Sequence, residues 1–129
     1  MKKISFLLRA LILIFVAACS SDDNIVNPEL DEQWILNDVA CFCFFGDDFD
    51  FSAHTITFNT SGGTVTISNS ADSSFIAASG TYSYTDNGSV IEIEGRRYTY
   101  EITGNTLTLN FVDNPNIADD EVSYFYIKN

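Results

Sequence analysis

Residues 41 to 54, Cys41-Phe42-Cys43-Phe44-Phe45-Gly46-Asp47-Asp48-Phe49-Asp50-Phe51-Ser52-Ala53-His54, gather two cysteines, three aspartates and the chain's only histidine into one short stretch. Three chemistries are open to such a set. Cys41 and Cys43 could close a disulfide, although residues two apart on an extended strand hold their Cβ atoms farther apart than the roughly 4 Å a disulfide wants, so the chain would have to turn there. They could stay buried as inert thiols. They could also join His54 and one of Asp47, Asp48 or Asp50 around zinc or copper, but a C-x-C followed by one distant histidine is weak beside paired C-x-x-C spacing. His54 alternates with Ile56 and Phe58 as a core strand position would. Gly46-Asp47-Asp48-Phe49-Asp50 lacks the D-x-D-x-D-G spacing and distal glutamate of a calcium loop, and the acidic stretch 113–120 is no closer. We therefore expect no metal and no cofactor. Nothing places Ser or Cys beside His54 and an orienting acid, and there is no glycine-rich phosphate loop, so we expect no enzyme.

The compartment bears on the cysteines. Residues 1–18, with Lys2 and Lys3 ahead of an apolar run ending in Val16-Ala17-Ala18, read as a secretory signal too short to span a membrane. Val16-Ala17-Ala18-Cys19 resembles the lipobox of bacterial lipoproteins. The resemblance implies that Cys19 is the mature N-terminus and carries lipid, an anchor of several acyl chains at roughly 0.8 kcal/mol per buried methylene. Ser20-Ser21-Asp22-Asp23, with no aspartate directly after Cys19, is similar to the sorting and export signals of outer-membrane lipoproteins in Bacteroidetes. It implies the outer membrane, with exposure at the cell surface. With Cys19 lipidated, an oxidising envelope makes a Cys41 to Cys43 disulfide the default pairing.

Loss of residues 1–18 leaves 111 residues, one domain and a short tether. It also removes Lys2, Lys3 and Arg9, leaving Arg96, Arg97 and Lys128 against all 18 acids, a net charge of −15. A surface that acidic repels phosphate backbones, which excludes nucleic acid as a partner. Residues 19–30, small, polar and acidic with one proline, read as a lipidated flexible tether, and residues 31–129 as the folded domain.

From Gln33 onward, β-branched and aromatic residues alternate with polar ones, and Gly, Asn, Asp and Ser clusters break the pattern into eight strands. These run approximately over 33–45, 53–59, 63–69, 80–85, 89–94, 96–103, 106–111 and 121–127. Short connections such as Asp86-Asn87-Gly88 and Gly104-Asn105 are hairpin chemistry, so neighbours are antiparallel. The expected fold is all-β, an eight-stranded antiparallel up-and-down barrel, with a two-sheet sandwich as the alternative. A switch of apolar parity after Leu36 predicts a bulge at Asn37-Asp38.

Leu30-Asp31-Glu32-Gln33-Trp34-Ile35-Leu36-Asn37-Asp38-Val39 resembles the opening strand, L-x-G-x-W-x-L-x-x-V, of short lipocalin-like domains. Gly80-Thr81-Tyr82 and the run Tyr98 to Leu109 are similar to later motifs of such domains in Bacteroidetes lipoproteins. The likeness spans most of residues 30–127 and implies a lipocalin-like barrel plugged by Trp34. Glu32 stands at the family's glycine, and only Lys128 is available to stack on Trp34 where full lipocalins use arginine.

The inward parity collects eighteen residues, nine of them aromatic, including all six tyrosines: Tyr82, Tyr84, Tyr98, Tyr100, Tyr124 and Tyr126. An eight-stranded barrel either packs such side chains or holds one small ligand. The first alternative makes the protein a structural or interaction module that presents its phenylalanine-rich loop to an envelope protein. The second makes it a binding module whose six tyrosines surround a small apolar or aromatic compound. The phenylalanines left over, Phe42, Phe44, Phe45, Phe49 and Phe51, either form a contact surface or lie under a lid made by residues 46–51 or 70–78.

Overall fold

The computed structural model describes residues 25–112 and 122–129. The predicted signal (1–18), the lipidation position Cys19 and the whole acidic stretch 113–120 with Glu121 lie outside the described residues. Eight strands follow one another: β1 (Glu32–Ala40), β2 (Thr55–Asn59), β3 (Thr64–Ser68), β4 (Gly80–Asp86), β5 (Val90–Ile93), β6 (Arg96–Thr103), β7 (Thr106–Phe111) and β8 (Ser123–Lys128). Each pairs antiparallel with the next, and β8 pairs with β1, so the sheet closes into an up-and-down, lipocalin-like barrel. The two-sheet alternative is set aside by that last pairing. Closure leaves no free outer strand to recruit another chain.

The register slips between Leu36 and Asp38 where β1 meets β8, which is the expected bulge. β1 itself is shorter than expected. It stops at Ala40 rather than continuing through Phe45, because the backbone bends at Cys41–Cys43.

All eighteen residues assigned inward by parity belong to the core or pack against it. Trp34, Leu36, Ile56, Val65, Ile67, Ile91, Ile93, Leu107 and Leu109 are essentially inaccessible to water. Full burial of an aliphatic side chain contributes roughly 1.5–3 kcal/mol, so the barrel is held by its filled interior. Two buried hydrophobic residues among those described come from outside the strands: Leu30 and Ile76.

Leu30 corrects the expected tether. Residues Pro28–Leu30 form a 3-10 turn capped by Asn27, whose side-chain oxygen accepts from the Glu29 N–H, and the turn lies across one end of the barrel. Leu30 is fully buried, and its carbonyl accepts the Trp34 Nε1–H at 2.9 Å. The Ile25 N–H donates to the Asp86 carbonyl at 2.7 Å. The buried Leu30 side chain, its carbonyl bond to the indole and the Ile25 bond to Asp86 tie residues 25–30 into the folded domain. Lys128 Nζ lies 5.5 Å from the Trp34 ring and 3.4 Å from the Glu32 carboxylate. The Trp34 plug implied by the family likeness is thus in place. This is the closed end, reached also by the 60–63, 87–89 and 104–105 turns.

Glu32 has φ +100°, a conformation that glycine adopts at no steric cost. The lipocalin-like motif carries glycine at this position, and the backbone explains why. A strained non-glycine residue costs of order 1–3 kcal/mol, against about 0–1 kcal/mol for the exposed Glu32–Lys128 pair. Glu32→Gly is therefore expected to raise stability by roughly 1 kcal/mol, read as a higher urea midpoint. An unchanged or lower midpoint would show that the ion pair outweighs the strain.

Candidate functional site

The opposite end carries the long connections: residues 41–54 between β1 and β2, residues 69–79 between β3 and β4, and the segment between β7 and β8. It is there that the 41–54 stretch settles. Cys41 and Cys43 are joined as a disulfide, their Cα atoms 5.1 Å apart, because the chain leaves the extended conformation at Cys41. That spacing is within the usual disulfide range. Both thiols are consumed, which removes them from the metal set.

Beyond the disulfide the loop folds on itself. The Phe49 N–H donates to the Gly46 carbonyl at 2.9 Å, and Asp50 caps a 3-10 turn at Phe51–Ala53 by accepting from the Ser52 N–H and hydroxyl. Those two bonds hold the Asp50 carboxyl below its ordinary value. The two turns bring Phe45, Phe49 and Phe51 together, with ring centroids 4.7 to 5.0 Å apart, and Phe75 of the 69–79 loop joins them at 5.9 to 6.3 Å. Offset and edge-on rings at these distances attract one another beyond the area they bury. The lid reading therefore holds for three phenylalanines. Phe42 and Phe44, 87% and 94% exposed, stand out in solvent on either side of Cys43, as the contact-surface reading required.

His54 sits under this cluster, 1% exposed. Its Nδ1 lies 2.7 Å from Asn69 Oδ1 and its Nε2 2.9 Å from the Tyr126 hydroxyl. Neutral imidazole satisfies both contacts, with Nδ1–H donating to the amide oxygen and Nε2 accepting the phenol proton. Asn69 in turn accepts from the Phe75 N–H and donates to the Ala77 carbonyl, so His54 anchors the loop that closes over it. His54 is a structural residue, and no group of metal-ligating side chains assembles among the described residues.

The six tyrosines do not form one pocket. Tyr84 and Tyr100 belong to the closed end: Tyr84 packs edge-on against Phe58, and the Tyr100 hydroxyl donates to the buried Asp86 carboxylate at 3.0 Å. Tyr126 is committed to His54. Tyr98 and Tyr124 lie beneath the loops, their rings 6.2 Å apart, and Tyr82 stands at the rim with its hydroxyl donating to the Ala78 carbonyl at 2.6 Å. Burial pushes Tyr84 and Tyr98 up to about 12 and raises Tyr126 well above the ordinary phenol value. Parity gave the face correctly but could not say how far along the barrel each ring would sit.

A groove of about 480 Å³ opens at this rim, bounded by Phe75 and Ile76 of the loop, Tyr82 of β4, Tyr124 of β8, Glu94 of the β5–β6 turn and Arg96 at the start of β6. Its origin is a mismatch of strand lengths. Only Tyr84, Thr85 and Asp86 of β4 pair with β5, so the first half of β4 has no ladder partner on that side and the wall parts. A second depression of about 390 Å³ follows the same gap down the outside, sharing Tyr82 and Glu94. Arg96 was not singled out as a site residue from the sequence. The usable signal was its place on the inward parity of β6, two residues before Tyr98.

No family model matches the chain, and no curated protein matches it.

The buried His54 makes stability depend on pH. Burial lowers its pKa below 6.5, with the Asn69 bond opposing. Once the pH falls below 6.5 the unfolded chain binds a proton that the folded one refuses, so stability falls as the pH falls toward the folded value, by at most about 1.4 kcal/mol per pH unit. Urea midpoints taken between about pH 7 and pH 5 should decline for the native sequence, and His54→Gln should flatten that slope.

Proposed function

We propose that the protein is a non-catalytic binding module, a lipocalin-like lipoprotein held to the outer membrane through Cys19, that takes a small aromatic compound at the loop end of its barrel. The observation that carries this reading is the groove of about 480 Å³ bordered by Phe75, Tyr82 and Tyr124, in the size range of small-molecule sites. Buried core side chains occupy the inward face of the barrel, which favours binding at the rim. The signal, the V-A-A-C motif and the acidic residues after Cys19 support the anchor.

Exposure of Phe42 and Phe44 favours a second reading, a filled barrel whose disulfide-held loop contacts another envelope protein. The two readings separate in one comparison. Native mass spectrometry of the protein purified from its own cells is expected to show a co-purifying small molecule that Tyr82→Ala with Tyr124→Ala removes. Tyr84→Ala with Tyr100→Ala should lower the melting temperature and retain it. Loss of a protein partner on Phe42→Ser with Phe44→Ser, with no small molecule in any sample, would favour the second reading instead. Cys19→Ser is expected to release the protein from the membrane fraction, and membrane retention by that variant would refute the anchor.

A further inference from the structure

Arg96 pairs with Ile93 across the β5–β6 turn, and Ile93 points into the core. Arg96 therefore continues the inward row of β6, Arg96-Tyr98-Tyr100-Ile102, past the point where the barrel ends, which sets its guanidinium over the mouth. It borders the groove together with Tyr124 and lies close enough to the Tyr98 and Tyr124 hydroxyls to oppose the rise that burial gives them. The other two basic residues of the domain are placed differently. Lys128 is at the closed end with Glu32 and Trp34, and Arg97 is on the outward face opposite Glu92. Among the described residues Arg96 makes no ion pair.

We infer that the groove selects its ligand by charge: it takes an aromatic compound bearing a single carboxylate, with Arg96 binding the carboxylate and Phe75, Tyr82 and Tyr124 the ring. This rests on the reading of the groove as a binding site. A guanidinium offers two parallel N–H donors matched to a carboxylate, and its charge is constant at any pH the protein meets. The rings on the other walls supply contact area to a planar group. The limit to one negative charge follows from the surroundings. Glu94 lies two residues from Arg96 on the same groove, and the chain is strongly acidic throughout, so a second anionic group would meet repulsion with no further cation to receive it.

A matched pair of probes tests this: indole-3-acetate and its neutral isostere indole-3-acetamide, titrated by NMR into the mature protein with ring-labelled tyrosine. The acetate is expected to shift the Tyr82 and Tyr124 signals and to bind roughly tenfold or more tighter than the amide, as one charge-assisted pair implies. Arg96→Gln should erase that ratio, Arg97→Gln should keep it, and Glu94→Gln should strengthen acetate binding. The exposed Arg96 side chain can be replaced without disturbing the core, and circular dichroism of the variant checks this. Equal binding of the two probes, unchanged in Arg96→Gln, would overturn the charge selection and leave the groove reading standing. If neither probe moves Tyr82 or Tyr124, the groove reading falls and the inference falls with it.

Discussion

The hydrogen bond from the Trp34 indole to the Leu30 carbonyl is the constraint on which the rest of the barrel depends. An eight-stranded cylinder has two mouths, and a buried indole N–H without an acceptor would cost about 1–3 kcal/mol. By folding Pro28–Leu30 across the mouth, the chain satisfies that donor with backbone and fills the space beneath it with the Leu30 side chain. Lys128 covers the indole from the β8 side, where β8 has returned to pair with β1. First and last strands are thereby fixed to each other at the point where an up-and-down sheet would otherwise remain open. Asp86, buried and accepting from Tyr100 and Gly88, ties the β4 and β6 ends to the same floor.

A floor built this way makes the two ends of the molecule unequal. Short turns and backbone hydrogen bonds finish the closed end, while the loop end is covered by side chains that lean on one another: Phe45, Phe49, Phe51 and Phe75 above, His54, Tyr124 and Tyr126 below. Strands and their ladders resist opening as a unit, whereas a loop cover with fewer backbone bonds to the sheet opens at lower free energy. The Asn69 side chain, which contacts His54 and the Phe75 and Ala77 backbone at once, is the main polar tie between that cover and the barrel.

Most of the architecture was legible in the sequence because a barrel repeats one signal. Period-two alternation fixes which face each residue takes, and every residue assigned inward is found there. The bulge after Leu36 was legible for the same reason, as a change of parity. What parity cannot carry is position along the axis and the behaviour of connections. Six tyrosines on one face looked like one pocket, yet the stagger of the strands distributes them between the two ends. Leu30 read as tether because Ile25, Val26 and Leu30 show no period among polar neighbours, and Ile76, in the short run Phe75-Ile76-Ala77-Ala78, shows none either. The strand-length mismatch that opens the groove depends on where β5 stops, which alternation locates only to within a residue or two. Arg96 was counted as charge rather than placed on a face.

Local strain is distributed in a way that agrees with this asymmetry. Among the described residues, apart from Glu32 at the floor, the non-glycine residues with positive φ are Ile76, at +69°, and Glu94, at +52°, and both border the loop-end groove. Glu94 is followed by Gly95, also at positive φ, and the pair makes the tight two-residue turn that right-twisted hairpins favour. Asparagine or glycine would serve Glu94's position at less cost. Ile76 is the sharper case, since a β-branched residue is among the least suited to that backbone, yet its side chain is buried in the core. The burial holds the backbone in place, and the backbone in turn holds Phe75 against the aromatic cluster and across the groove. Sequences that fold well agree with themselves at every level except where another demand intervenes. Here the disagreements gather at the end bearing the groove, the cation and the two exposed phenylalanines. At the closed end the floor is satisfied by hydrogen bonds and burial, so its one strained residue, Glu32, is the exception rather than the pattern.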